Sequence, residues 1–171
     1  MKPNYQIIDN FLPKEDFTSL LQIMGIEGDG MFPWYYIKSV DDSTKPELID
    51  HLYFIHLFFL GAEILSTSYQ DVLPLVKKIN PKALIRIKAN AYPKNGNDII
   101  YHRQHTDYTY EHKGAIFYLN TNNGFTVLED GTKISSVANR ILFFNPSRPH
   151  NSTNSTDVKM RYNINFNLKL S

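Results

Sequence analysis

The sequence predicts a mainly β protein whose strands form a sandwich or barrel, with helices in its N-terminal part. Two observations indicate this class. From residue 83 onward, short apolar segments recur about every ten residues, separated by Gly, Asn, Asp and Pro. Before residue 83, apolar residues also occur at helical spacing. We therefore expect a single domain, 1–171, with a mixed helical part at 1–82 and a β core at 83–171.

The N-terminal part is expected to combine two helices with short strands. Apolar residues at helical spacing predict helices at 13–24 and 69–78. Acidic residues open the first of them and two lysines close the second, which suits the helix dipole in both cases. Short strands are expected at 5–9, 34–39 and 51–60.

The strands of the core are expected at 84–89, 115–119, 125–128, 140–144 and 161–168. In the last of these, apolar residues alternate with one arginine and three asparagines. Successive side chains of a strand point to opposite faces, so the apolar residues would pack on one side. The polar face of this strand would either meet water or line a polar cavity.

The composition narrows the classes of function. The chain of 171 residues has no cysteine, which excludes disulfides, iron–sulfur clusters, thiolate zinc sites and cysteine nucleophiles. A metal site would have to use His, Asp and Glu. A net charge of +1 provides no overall field for anionic lipid or nucleic acid, so we expect no membrane partner and disfavour nucleic acid. The N-terminal residues lack the apolar run of a signal peptide, and a cytoplasmic location is expected.

Three residues form a candidate metal site. His105 and Asp107 lie two apart in the β region, where residues i and i+2 point the same way, and His150 follows the apolar strand at 140–144. Two histidines and one carboxylate are the facial ligand set of non-haem Fe(II) oxygenases. Arg161, on the polar face of the last strand, would supply a cation for a carboxylate ligand. Taken singly, His105–Asp107 would be surface neighbours and Arg161 a solvated strand residue.

Residues 84–170 resemble the 2-oxoglutarate- and Fe(II)-dependent dioxygenases, and within them the prolyl 4-hydroxylase-like branch. The resemblance rests on the three candidate ligands and Arg161 in their order along the chain. It also rests on 91–96 and 115–120, which are similar to the Tyr-Pro-x-Asn-Gly and Tyr-Leu-Asn segments of oxygen-sensing prolyl hydroxylases. This resemblance implies a double-stranded β-helix, the jelly roll of cupin-like proteins, buttressed by N-terminal helices. Residues 1–82 would then form the buttress and the substrate side, and residues 83–171 the jelly-roll core with the metal site.

The resemblance also implies a reaction and a role for each residue. The three ligands would hold Fe(II), Arg161 and Tyr118 would bind the distal carboxylate of 2-oxoglutarate, and Tyr92 would lie against this co-substrate or near the substrate entrance. With O2, and ascorbate as an accessory reductant, the protein would hydroxylate a C–H bond of an amino-acid, peptide (prolyl included) or small-molecule substrate. 2-Oxoglutarate would become succinate and CO2. The sequence identifies neither the substrate and its hydroxylated atom nor the oligomeric state.

Two positions differ from the family pattern. Many collagen-type prolyl hydroxylases have a lysine where this chain has Arg161, and their paired glycine appears here as Asn123-Gly124. An arginine can hold a carboxylate through a bidentate fork. Loss of one glycine alters a turn or a close approach of the backbone. Both differences make a prolyl substrate a weaker inference than the iron chemistry.

Two other functions fit the same residues. A jelly-roll module could bind an organic anion or a partner protein without turnover, using Arg161 and the asparagine face. A nucleic-acid demethylase could use the same iron chemistry, and its binding to DNA or RNA would weaken with salt.

The remaining basic residues are assigned to the protein framework. His102 would point away from His105, His112 would be exposed in a polar loop, and Arg86 and Lys88 would belong to a solvated face. His56, among apolar residues, would take a hydrogen-bonded core or rim position. The sequence assigns no chemical role to His51, His56, Arg103 or Tyr108.

Overall fold

Two antiparallel sheets make up most of the structure, a computed structural model that describes residues 4–37 and 52–170. In chain order the strands are β1 (Gln6–Ile8), β2 (Tyr35–Ile37), β3 (Tyr53–Leu60), β4 (Glu63–Ile64), β5 (Ala83–Pro93), β6 (Lys113–Tyr118), β7 (Phe125–Val127), β8 (Lys133–Ser135), β9 (Arg140–Phe144), β10 (Asn151–Ser152) and β11 (Met160–Lys169). The large sheet has the order β1-β9-β6-β11-β5-β3-β2, with β4 paired to the end of β3. The small sheet has the order β10-β7-β8.

The helices lie before β5, as predicted. Helix α1 (Lys14–Ile23) matches the helix expected at 13–24. The helix expected at 69–78 is divided into a 3₁₀-helix (Thr67–Val72) and α2 (Leu73–Ile79). Pro74 explains the division, because a residue without an N–H fits the first turn of an α-helix. No helix among the described residues is long and apolar enough to cross a membrane.

The main core lies between these helices and one face of the large sheet. Phe58 of β3, Leu75 of α2, Phe117 of β6 and Ile164 of β11 are all fully buried in it. Burial of side chains of this size contributes roughly 1.5–3 kcal/mol each. The helices therefore pack against one face of the large sheet.

The other face of the large sheet meets the small sheet. A second apolar cluster, built from β6, β8 and β9, fills part of this space. Apolar side chains of β11 point to the main core, and its polar side chains point to the space between the sheets: Arg161, Asn163, Asn165 and Asn167. The polar face of the last strand therefore lines a cavity rather than meeting bulk water.

Most strand predictions are confirmed to within a few residues. The strand expected at 34–39 is seen as Tyr35–Ile37, and its last two residues lie outside the described residues. The strand expected at 51–60 begins at Tyr53, and His51 lies outside the described residues. The unpredicted strands β4, β8 and β10 have only two or three residues, too few to show an alternating pattern.

Candidate metal centre

The structure brings His105, Asp107 and His150 together. One ligand atom from each residue lies within 4.8 Å of the other two. The Nε2 atom of His105 is 3.9 Å from Oδ1 of Asp107, and the two imidazole rings are 4.7 Å apart between centroids. Among the described residues, these are the only three His, Asp or Glu side chains that lie close enough together to hold a metal ion.

The backbone holds the three side chains in place. His105 and His150 face each other in an antiparallel bridge, in which each N–H donates to the other residue's carbonyl at 2.9 Å. The N–H of Asp107 donates to the carbonyl of Pro146, also at 2.9 Å. His105 and His150, which are 45 positions apart, are thus joined by main-chain hydrogen bonds that do not depend on side-chain packing.

Hydrogen bonds select the tautomer of both histidines. Nδ1 of His105 lies 3.2 Å from the carbonyl of Arg103, and Nδ1 of His150 lies 3.0 Å from that of Arg148. A carbonyl can only accept, so each Nδ1 carries the proton. The lone pair of each Nε2 is then available to a metal ion.

Asp107 is held by two partners that sequence reasoning did not identify. Nη2 of Arg86 lies 3.0 Å from Oδ1, and Nδ2 of Asn167 donates to Oδ2 at 2.7 Å. Burial alone would raise the pKa of Asp107, but Arg86, His150, Asn167 and His105 together outweigh it and lower the pKa. The carboxylate is therefore ionised and oriented at neutral pH.

Arg161 is fully buried and is bonded to Ser152, which lines the same cavity as the candidate ligands. Its Nε donates to Ser136 Oγ at 2.8 Å, and its Nη1 donates to Ser152 Oγ at 2.8 Å and to the carbonyl of Thr153 at 3.3 Å. Nη2 is buried and has no hydrogen-bond partner among the described residues. A buried cation with one open donor is suited to a carboxylate ligand, because an unpaired buried donor is costly.

Tyr92 and Tyr118 flank this guanidinium. Their rings lie 5.5 and 5.8 Å from Cζ of Arg161. The hydroxyl of Tyr118 donates to Oγ1 of Thr126 at 2.8 Å, and Tyr92 stacks on Tyr53 with a centroid distance of 5.4 Å. Burial raises the pKa of both Tyr92 and Tyr118, so both keep their hydroxyl proton.

A small cavity of about 40 Å³ lies between the candidate ligands and Tyr92. The three candidate ligands, Tyr92, Lys88, Asn163 and Asn165 are among its lining residues. A wider groove of about 750 Å³ shares His150 with it and extends to the N-terminal residues and the end of β9. Burial, reinforced by Arg86 and opposed by Asp107, lowers the pKa of Lys88 to about 8.

The prediction that Arg86 and Lys88 belong to a solvated face is wrong. Both share the face of β5 that carries Tyr92, and this face points into the space between the sheets. Alternate residues of a strand lie on the same face, so Arg86 and Lys88 share a face with Tyr92. The expected position of Tyr92 beside the co-substrate could therefore have indicated that both basic residues face the cavity.

The other histidines have framework contacts. The prediction that His112 is exposed is wrong, because it is 4% exposed and its Nε2 lies 3.0 Å from Nδ2 of Asn167. His102 is buried against Tyr92 and is not part of the ligand group. The expected hydrogen-bonded core position of His56 is confirmed.

Comparison with solved structures identifies proteins of the same fold. A 2OG-Fe(II) oxygenase family oxidoreductase from Burkholderia pseudomallei has a TM-score of 0.71 and 9% identity, over 97% of this chain and 85% of the other. A Trichoplax adhaerens prolyl hydroxylase, in complex with a hypoxia inducible factor peptide fragment, has a TM-score of 0.65 and 15% identity, over 98% and 84%. The non-haem α-ketoglutarate-dependent epimerase SnoN, from nogalamycin biosynthesis, has a TM-score of 0.62 and 10% identity, over 98% and 78%.

No protein-family model and no curated protein matches the sequence. The structural neighbours nevertheless share one architecture, and the predicted double-stranded β-helix with N-terminal helices is confirmed.

Proposed function

We propose that this chain, which has the fold of the 2OG-Fe(II) oxygenases, is an Fe(II)- and 2-oxoglutarate-dependent dioxygenase. Its substrate would be an amino acid, a peptide or another small molecule that is hydroxylated at a C–H bond. The observation that carries the proposal is the meeting of His105, Asp107 and His150 within 4.8 Å, next to a cavity whose wall residue Ser152 is bonded to the buried Arg161.

The donor set fits the proposed metal. Two imidazole Nε2 atoms and one ionised carboxylate are the ligands typical of Fe(II) in this class of site. Arg86 and Asn167 hold the carboxylate in one orientation, and backbone carbonyls hold both imidazoles, so the ligands are organised before the metal arrives.

The arginine fits the proposed co-substrate. Nη2 of Arg161 would donate to the distal carboxylate of 2-oxoglutarate, which supplies the partner that this atom lacks. Tyr118 would add a second donor by rotation of its O–H bond away from Thr126. Tyr92 would form the wall beside the co-substrate.

When bound, Fe(II), 2-oxoglutarate and O2 supply the oxidising chemistry, and the co-substrate leaves as succinate and CO2. The protein keeps the reacting groups in position and limits the access of water. The small volume of the cavity, about 40 Å³, serves the second task.

Metal titration tests the ligand assignment. We expect the wild type to bind one Mn(II) ion in isothermal titration calorimetry, and Asp107→Ala and His150→Ala to lose this binding. Asp29→Ala, at an exposed position, is the matched control and should bind as the wild type does. Equal affinity of the wild type and Asp107→Ala would refute the site.

Turnover tests the reaction. With Fe(II), ascorbate and 2-oxoglutarate, the wild type should form succinate even without its own substrate, and Asp107→Ala should form none. Stoichiometric metal binding with no succinate from the wild type would instead support a non-catalytic anion-binding module.

A further inference from the structure

We propose that Lys88 binds a carboxylate of the primary substrate, so that the substrate class of this protein is carboxylic acids. The carboxylate would belong to a free amino acid or other small acid, or to an acidic side chain of a peptide. The inference rests on the proposed function, because Lys88 lines the cavity that would hold the iron.

The strand register places Lys88 at the metal end of the cavity. Lys88 of β5 pairs with Asn165 of β11, next to the pair of Arg86 and Asn167. These two neighbours both contact Asp107. Tyr92, which pairs with Arg161, is four residues away along β5, or about 13 Å between Cα atoms. The proposed co-substrate anchor and Lys88 are therefore separate positions.

Lys88 forms no direct ion pair in the part of the chain that the structure describes, and Asp107 acts on it only from a distance. No ion pair there includes its ammonium group. Its Nζ atom lies over the ring of Tyr53, 5.7 Å from the ring centroid. Asp107 is the one carboxylate among the described residues that line the cavity, and Arg86 already occupies its Oδ1.

The balance of charge points to a ligand. Asp107 is matched by Arg86, the distal carboxylate of 2-oxoglutarate would be matched by Arg161, and its other carboxylate would be matched by the metal ion. Lys88 is then the basic side chain on this face of β5 that is left without an anion. A cation held at a partly dry site without a partner is costly, so its place beside the metal ligands is explained if the substrate brings the negative charge.

A first measurement compares stability without ligand. Lys88→Met keeps the length of the side chain and removes the charge. We expect it to raise the Tm of the ligand-free protein by about 2–4 °C, because the cost of the unpaired ammonium group disappears. Lys82→Met, at an exposed position before β5, is the control and should leave the Tm unchanged. A lower Tm for Lys88→Met would mean that the lysine is structural, and would overturn the proposal.

A second measurement tests binding. Protein loaded with Mn(II) and 2-oxoglutarate is titrated, without O2, with free L-amino acids and their amides. Acetyl-Gly-Glu-Gly-amide and its Gln counterpart form the peptide arm. We expect at least one carboxylate compound to bind the wild type about ten- to a hundredfold more tightly than its amide, and Lys88→Met to lose this difference. A preference among the free amino acids would indicate a small acid as the substrate. A preference among the peptides would indicate an acidic side chain of a peptide.

The outcomes separate this proposal from the proposed function. If the wild type fails to bind Mn(II) and 2-oxoglutarate, the proposed function fails, and the Lys88 proposal fails with it. If both bind but no carboxylate compound is preferred over its amide, only the Lys88 proposal is overturned. If Lys88→Met weakens the binding of 2-oxoglutarate itself, the lysine belongs to the co-substrate site, which also overturns the proposal.

Discussion

Gly124 shows how one residue can decide the shape of the co-substrate site. A Cβ atom at this position would lie 2.7 Å from Cδ of Arg161 and 2.5 Å from the carbonyl oxygen of Asn154. These separations are shorter than van der Waals contact, so only glycine lets the backbone approach the arginine this closely. The single glycine of Asn123-Gly124 is therefore a close-approach position, one of the two roles that the sequence left open for it.

Gly124→Ala should weaken the binding of 2-oxoglutarate. The added methyl group has to displace Arg161 or the backbone at Asn154, and we expect a loss of stability of about 1–3 kcal/mol. The Kd for 2-oxoglutarate should rise about tenfold or more. Calorimetry on the folded variant checks this, and its Mn(II) affinity is the internal control, which should stay at the wild-type value. Unchanged 2-oxoglutarate affinity would contradict the assignment of Arg161.

At the scale of elements, His56 ties β3 to two segments outside the sheet. Its Nδ1 lies 2.7 Å from the carbonyl of Pro33, and its Nε2 lies 2.7 Å from Oγ of Ser66. The proline carbonyl can only accept, so Nδ1 donates and Nε2 accepts from the serine hydroxyl. Ser66 in turn accepts from the N–H of Ser68 and caps the 3₁₀-helix. Protonation of the imidazole would reverse the hydrogen bond between Nε2 and Ser66.

The stability of the protein should therefore fall in mild acid. Burial lowers the pKa of His56 below its usual 6.5, against the opposing effect of the hydrogen bond to Pro33. The unfolded chain then binds more protons than the folded one as the pH drops through 6.5, so the free energy of unfolding decreases. The slope from one histidine is at most about 1.4 kcal/mol per pH unit.

Urea unfolding of the metal-free protein between pH 7.5 and pH 5 (about two pH units around the histidine range) measures this slope. We expect His56→Gln to have a shallower slope than the wild type. Some slope remains, because burial also lowers the pKa of His150 and its contribution has the same sign. Identical slopes for the two proteins would show that His56 does not titrate with folding.

At the scale of the whole molecule, the two faces of the large sheet have different roles. Its helix-facing side carries the main apolar core, and its other side carries the polar cavity with the candidate ligands. Phe58 and Lys88 lie on β3 and β5, which are paired strands, but on opposite faces of the sheet.

Phe58→Ala should lower the free energy of unfolding by about 3–5 kcal/mol, because it leaves a cavity in the main core. The Mn(II) affinity of the remaining folded protein should not change, since no candidate ligand lies on that face. Urea unfolding and calorimetry at low temperature measure the two quantities separately. A large loss of metal affinity together with the loss of stability would show that the two faces are coupled.

The sequence predicted the apolar face of the large sheet better than its polar face. The apolar pattern was sufficient for the helix-facing core, because burial follows from alternation along β11 and helical spacing in α2. It was not sufficient for the cavity, where Arg86, Lys88 and His112 were expected to face solvent. A charged residue on a strand is usually solvated, and the pattern of a single strand does not indicate that a second sheet covers it.

By itself the sequence determined the fold class and the order of most elements, because local periodicity is a property of neighbouring positions. It also proposed His105, Asp107, His150 and Arg161 as site residues, from their chemistry and their order along the chain. Only the tertiary structure decided that Arg86 and Asn167 hold Asp107, and that Lys88 faces the same cavity without an anion. The bonded residues lie far apart in the chain, because Asp107 is 60 positions from Asn167 and 21 positions from Arg86. Which polar side chains meet across such distances depends on how the sheets pack, and packing is a property of the whole chain.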